Sequence, residues 1–319
     1  MTITAHDEHP AYDHTALLYH SDHEYVDSLM RFISEGLDRA EPVLVAVPGN
    51  KLASLRGALG DAAAGNVQMI DITEVGRNPG RILAAEYAFV DEQQHRHVRM
   101  IAEPVWAGRT AAEYHACLQH EALANIAFAG CDVTGLCPYD ASRLDEGMLA
   151  GVRATHPLIW EHGTRQRNPD YSVDVALDQC NQPLATNPVA VNYTVCEPAD
   201  LAGARRAGAR YGRLLGMSAD RIDDLQLITT ELATNSLDHG GGVCWLAFWH
   251  DAGHMVCEAR DIGYLADPLV GRRPPTEASG PFGLFVVNAI ADLVRTHTSP
   301  SGTTIHAYLR LDHLRGEAP

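Results

Sequence analysis

The sequence predicts an α/β domain followed by an α+β two-layer sandwich, and three observations carry that prediction. The chain of 319 residues exceeds the usual size of one domain, roughly 100 to 200 residues, so two cores are expected. In the first half, short β-branched runs alternate with helix-length segments, the pattern of layered α/β folds. In the last third, strands follow one another through short turns while the helices group apart, the pattern of a sheet covered by helices.

In chain order, a polar tail occupies residues 1–12 and the first domain residues 13–164. Residues 40–48 hold the run Val43, Leu44, Val45, Ala46 and Val47, closed by Pro48, Gly49 and Asn50, which reads as a buried strand feeding a helix over 51–59. Further strands are expected at 67–72 and 98–102, with helices at 79–94, 110–129 and 141–155. An Asn-, Gln- and Pro-rich stretch carrying Pro169, Pro183 and Pro188 makes 165–188 the expected linker. The second domain, 189–312, opens with a strand at 189–196. Helices at 199–215 and 219–239, strands at 243–250 and 254–259, a helix at 283–292 and strands at 294–298 and 303–311 complete it. Residues 313–319 are a second tail.

Charge narrows the functions available. Lys and Arg number 24 against 41 Asp and Glu, a formal charge of −17, which repels a phosphate backbone and argues against direct DNA binding. A basic protein partner suits this charge. No apolar stretch approaches the roughly 18 residues of a membrane span, and the polar start is unlike a leader, so a cytoplasmic location is expected. Seven cysteines, at 117, 131, 137, 180, 196, 244 and 257, contain no C-x-x-C pair and are read as reduced thiols. The pairs His95/His97 and His115/His120, with Cys117, lack the spacing of a zinc or copper motif, so histidines are read as structural or solvated. Around Val47 to Leu52 there is one glycine and no G-K-[ST], so the first domain carries no Walker-type phosphate loop.

The residues that carry chemistry lie in the second domain. On the helix beginning at Ala219, Ile222, Leu225, Ile228 and Leu232 form an apolar stripe, while Glu231, Asn235 and His239 recur at i, i+4 and i+8 and share another face. An Asn oxygen is a hard, neutral ligand suited to Mg²⁺, and a carboxylate one turn earlier polarises an attacking hydroxyl. Taken alone, the spacing describes a solvated helix face equally well. Downstream, Asp261 and Gly263 follow a strand directly; a carboxylate there accepts a hydrogen bond from the exocyclic amine of adenine, and a glycine lets the backbone approach the base. D-x-G alone usually marks a turn. Ser279, Gly280, Pro281, Phe282, Gly283 and Leu284 then precede an apolar helix whose amides face phosphate oxygens, and Ser301, Gly302, Thr303 and Thr304 open the last strand.

The order of these pieces resembles the ATP-binding domain shared by histidine kinases, Hsp90 chaperones and gyrase, the Bergerat fold. The segments 231–242, 259–275, 283–294 and 301–311 are more closely similar to the anti-sigma-factor serine kinases of Gram-positive bacteria. That resemblance covers about 125 residues. It implies Glu231 as general base toward a serine of an antagonist protein, Asn235 as the Mg²⁺ ligand and Asp261 as the adenine contact. Gly263, Gly283, Leu284 and Thr303 complete the implied nucleotide site. Where the family commonly has Gly-x-Gly-Leu, Pro281 replaces the first glycine and removes an N–H donor.

The first half resembles the MEDS sensory domain, which actinobacteria join to anti-sigma domains of the RsbA type. The likeness rests on His14 to Tyr19, Gly36, Glu41 to Val43, Arg77 to Arg81, Glu103 to Arg109, Glu113, Tyr114, His120 to Asn125 and Cys137 to Asp140. Arg77, Arg81, Glu103, Trp106 and Arg109 mix charge with an aromatic ring near predicted strand ends. They form the candidate effector pocket for a small molecule, with surface salt bridging as the alternative. His120, followed by Glu121 and Asn125 on a helix, resembles a phosphoacceptor, but it lies about 110 residues before the ATP domain and inside an α/β unit. It is therefore read as a helix-face histidine hydrogen-bonded within the sensor fold, with a sensor histidine kinase kept as an alternative.

The two resemblances thus imply an anti-sigma regulator of transcription and stress response. It would bind ATP and Mg²⁺, sequester a sigma factor or phosphorylate its antagonist, and answer to a signal sensed by the first domain. A sigma-binding module without turnover, its ATP site degenerate, is the first alternative and a sensor histidine kinase the second, and a homodimer is left open.

Overall fold

The computed structural model describes residues 12–94, 96–106, 108–274 and 282–311. It divides into two compact units, one of Met1–Gly76 and Ile82–Asp178, the other of Arg77–Arg81 and Gln179–Pro319.

The first unit contains β1 (Asp13–Tyr19), α1 (Asp22–Asp38), β2 (Val43–Val47), α2 (Gly49–Leu59), α3 (Asp61–Ala64), β3 (Val67–Asp71) and α4 (Ile72–Val75). It continues through α5 (Ile82–Glu92), β4 (Val98–Ala102), α6 (Ala111–Ala127), β5 (Val133–Asp140), α7 (Glu146–Thr155), β6 (Leu158–Glu161), β7 (Thr164–Arg167) and α8 (Val173–Cys180), whose last two residues count with the second unit. Seven strands order as β3-β2-β4-β5-β1-β6-β7, all parallel except the antiparallel β6–β7 pair. Both β2 and β4 are buried along their whole length, which is why their sequences read as continuous apolar runs rather than alternating ones. Leu29 and Ile33 of α1 pack with Leu17, Val45, Ile101 and Leu136 on one face of the sheet. Val152 of α7 packs with Ala16, Leu18, Tyr139 and Ile159 on the other.

Two features depart from expectation. The strands β1 and β5, helix α1 and the β6–β7 hairpin were not foreseen. Residues 165–188, expected to be a linker, instead contain most of β7 and all of α8. All four residues of β7 are exposed, so this edge strand presents no apolar pattern, and its place follows only from pairing of Leu158 with Arg167 through Glu161 with Thr164.

The second unit holds β8 (Val191–Val195), α9 (Leu201–Leu214), α10 (Ala219–His239), β9 (Cys244–Asp251), β10 (His254–Asp261), α11 (Gly283–Ile290), β11 (Leu293–Ser299) and β12 (Gly302–Arg310). Its antiparallel sheet runs β11-β12-β10-β9-β8. Ser218 caps α10 by accepting from the Arg221 amide. Beyond the cap, Ile222, Leu225, Ile228 and Leu232 are buried in one cluster with Leu246, Phe248, Met255 and Cys257 of the sheet. Burial of each such side chain contributes about 1.5 to 3 kcal/mol, which fixes the rotation of α10 about its axis and turns Glu231 and Asn235 away from the sheet.

Candidate functional site

Because α10 lays its apolar stripe onto the sheet, Ser236, one turn beyond Leu232 on the same buried face, meets the end of β10. There Asp261 accepts two hydrogen bonds, from the Ser236 hydroxyl at 2.7 Å and from the Gly263 amide at 2.9 Å. A side chain at Gly263 would place its Cβ 2.7 Å from the Gly240 Cα and the His239 carbonyl oxygen, so the D-x-G turn packs backbone against backbone. Thr303, at the start of β12, donates to the Gly263 carbonyl at 2.8 Å and contacts the Thr298 hydroxyl at 2.9 Å. Thr303 thereby ties the turn to the last strand.

These groups line a cavity of about 250 Å³, shared with Leu232, Asn235, His239, Tyr264, Leu265, Val270, Leu284 and Ile305. The cavity is apolar along Leu232, Leu265, Val270, Leu284 and Ile305 and polar where Asn235, Asp261 and Thr303 face it, the composition of a small-ligand site. Gly283, the first residue of α11, is held against α10: a Cβ there would lie 2.8 Å from both amide atoms of Asn235 and 3.0 Å from a Glu231 carboxylate oxygen. Among the described residues the buried Asn235 amide nitrogen has no hydrogen-bond partner, and a ligand oxygen would satisfy it.

Asn235, Asp261, Gly263, Leu284 and Thr303 therefore share one cavity, and Gly283 and Glu231 meet beside it. Such a donor set, a neutral amide and a carboxylate on a partly apolar cavity, fits a nucleotide with Mg²⁺. Ser236 and Gly240 were missed by sequence reasoning, although their place one residue after Asn235 and at the end of the same helix was a usable signal. Pro281, Ser279 and Gly280 lie outside the described residues.

In the first unit, Glu103, Trp106 and Arg109 line a cavity of about 570 Å³ at the carboxyl ends of β1, β2, β4 and β5, joined by Tyr19, Lys51, Asp140 and Arg143. Open α/β sheets bind ligands at these strand ends. Lys51 donates to Glu103 at 2.5 Å and to the Tyr19 hydroxyl at 2.7 Å, and the Tyr25 hydroxyl donates to Glu103 at 3.0 Å. Burial raises the Glu103 carboxyl to about 7 despite the opposing effect of Lys51 and Tyr25. The Arg109 guanidinium lies 3.5 Å from the Trp106 ring centre and donates to the carbonyls of Pro104 and Gly76.

Arg77 and Arg81 do not line this cavity, which corrects the grouping expected from sequence. Both fall in the short segment counted with the second unit, where Arg77 pairs with Asp292 at 2.9 Å. Lys51, from the helix after β2, supplies the cation that the sequence reading assigned to them.

The other residues weighed from sequence are scattered. His120 is 1% exposed on α6, 3.8 Å from Glu86, which leaves no surface for phosphoryl transfer from a partner domain. His97 contacts Asp132 at 2.6 Å, His115 contacts the Ala111 carbonyl, and Cys117 donates to the Pro104 carbonyl. His95 lies outside the described residues.

Fold and cavity together define the second unit as a histidine kinase-like ATPase domain, and residues 195–309 match the family of that description. Residues 13–157 match MEDS, the MEthanogen/methylotroph, DcmR Sensory domain, so the chain joins a MEDS domain to a histidine kinase-like ATPase domain. A solved structure of the RsbU and RsbW domains of Rv1364c from Mycobacterium tuberculosis aligns at 18% identity with a TM-score of 0.28, over 38% of this chain and 32% of that one. No curated protein sequence matches the chain. Among the described residues, no helix is long and apolar enough to cross a membrane.

Proposed function

We propose that this protein is an anti-sigma regulator whose second domain binds ATP with Mg²⁺ and whose first domain senses a small-molecule signal. The observation that carries the reading is the convergence of Asn235, Asp261, Gly263, Leu284 and Thr303 on one cavity of a histidine kinase-like ATPase domain. In this reading Asp261 accepts a hydrogen bond from the adenine amine, Asn235 holds Mg²⁺, and Gly283 admits the phosphates at the start of α11. Glu231 sits one turn before Asn235 and acts as general base on a serine hydroxyl of an antagonist protein. The acidic chain suits capture of a basic sigma factor, with release governed by the antagonist.

The test is phosphoryl transfer from labelled ATP to antagonist proteins that co-purify with the chain. Acid-stable label on a partner serine, lost in Glu231→Gln while nucleotide binding persists, is expected. ATP binding without transfer to any partner would leave a sequestering module and remove the kinase assignment. Label on a histidine of this chain would replace it with a sensor kinase.

A further inference from the structure

The first domain buries a group of side chains that neither cavity uses. His14 of β1, Glu121 of α6, Cys137 of β5 and His156, which follows α7, are each at most 4% exposed, and one ligand atom from each lies within 4.8 Å of the others. His14 Nε2 is 3.1 Å from Glu121 Oε2 and 3.3 Å from Cys137 Sγ, Cys137 Sγ is 3.4 Å from Glu121 Oε2, and His156 Nε2 is 3.5 Å from the same oxygen. A tetrahedral ion with metal–nitrogen or metal–oxygen bonds of about 2.05 Å and a metal–sulfur bond of about 2.3 Å sets its ligand atoms about 3.3 to 3.6 Å apart. Four of the six separations among these atoms already stand near those values, and the other two are within 4.8 Å.

The surrounding hydrogen bonds orient them. Asn125 donates its amide to the carbonyls of Glu121 and Thr155, which turns its oxygen toward His14 Nδ1 at 3.2 Å. His156 Nδ1 donates to the Val152 carbonyl at 2.8 Å. With both Nδ1 atoms protonated, each neutral imidazole aims the Nε2 lone pair inward, and among the described residues His156 Nε2 has no hydrogen-bond partner. Tyr139 donates to Glu121 Oε1 at 2.5 Å and leaves Oε2 facing the histidines. Lone pairs of two imidazoles and a carboxylate, gathered away from water around a thiol, repel one another unless a proton or a metal cation lies between them, and a metal ion satisfies all four at once.

We propose that His14, Glu121, Cys137 and His156 form a buried site for one divalent transition-metal ion of the zinc class. On binding, the Cys137 thiol releases its proton to solvent and its sulfur lone pair forms the metal bond. Thiolate and carboxylate then balance the two positive charges. Thiolate and imidazole select zinc over magnesium or calcium, and four protein ligands close the coordination sphere. The ion would clamp β1, β5, α6 and the end of α7 together, coupling the integrity of the sensory domain to metal supply.

The full-length protein, stripped with a chelator and titrated with Co²⁺, tests this directly. About one equivalent per chain is expected, with the near-ultraviolet thiolate-to-cobalt band and the intense visible bands of tetrahedral coordination. Elemental analysis of untreated protein from zinc-supplemented cells should give the same stoichiometry. Cys137→Ser should abolish the charge-transfer band, whereas His20→Ala, in the exposed grouping of His20, Glu161 and His162, should leave it intact. Should Cys137→Ser fail to fold, the wild-type spectrum still decides. Substoichiometric metal, a spectrum lacking the thiolate band, or loss of binding in His20→Ala would overturn the proposal.

Discussion

Ser236 donates a 2.7 Å hydrogen bond to the carboxylate of Asp261, linking the last turn of α10 to the end of β10. The second carboxylate oxygen is held by the Gly263 amide, so both oxygens are fixed relative to the cavity. Ser236→Ala removes one restraint while leaving the charge. Nucleotide affinity is expected to fall roughly five- to tenfold, about 1 to 1.4 kcal/mol, and Asp261→Asn to lose more. Calorimetric titration with ATP and GTP checks this, since the loss should be confined to ATP.

Gly283 offers a sharper test of how α11 approaches α10. An added methyl group would meet the Asn235 amide at 2.8 Å and Glu231 at 3.0 Å, distances that force one partner to move. Gly283 is not among the positive-φ residues, so Gly283→Ala brings no backbone strain. ATP affinity should drop on the order of tenfold or more while thermal stability changes little. An unchanged affinity would show that the start of α11 does not bear on nucleotide.

How much of this was legible depended on the distance over which each signal acts. The stripe of Ile222, Leu225, Ile228 and Leu232 is a local periodicity, so the sequence could place Glu231 and Asn235 on a free face before any packing was known. Asp261, Gly263 and Thr303 were legible through their order along the chain, and the fold brings them to one cavity. The grouping of Arg77 and Arg81 with Glu103 failed because nearness in sequence says nothing about which unit a short segment joins. Lys51 was invisible as a partner of Glu103 because the pairing spans 52 residues and two parallel strands. The buried set of His14, Glu121, Cys137 and His156 escaped for the same reason: one residue from each of four regions leaves no spacing to read.

Stability of the second domain should hinge on Asp292. Its side chain is 3% exposed and pairs with Arg221, itself 9% exposed, and it also accepts from the Arg310 amide at 2.7 Å. Asp292→Ala strands the Arg221 guanidinium with only the half-exposed Asp224 as a neighbour. Removing one partner of a buried pair is costly, and a loss of about 3 kcal/mol is expected. Urea unfolding of wild type, Asp292→Ala and Asp292→Asn measures it, and Asn should retain part through the Arg310 contact.

The Glu103 carboxyl gives the first domain a definite dependence on pH. Its ordinary value of 4.5 rises to about 7, chiefly through burial and against the opposing pull of Lys51 and Tyr25. Below pH 4.5 the group is protonated in folded and unfolded chains alike and contributes no slope. Between 4.5 and about 7 the folded chain keeps a proton that the unfolded chain has released, so unfolding becomes easier as pH rises. Above 7 the loss is complete, at most about 3 kcal/mol from a shift of this size. Glu103→Gln cannot ionise, so its stability relative to wild type should climb through the same window and level off above it. Denaturant unfolding of both proteins from pH 4.5 to 8, followed by the fluorescence of Trp106 and Trp160 in chains where Trp245 and Trp249 are replaced by Phe, measures that difference. A constant gap would show that Glu103 is already ionised in the folded chain, with Lys51 the stronger influence.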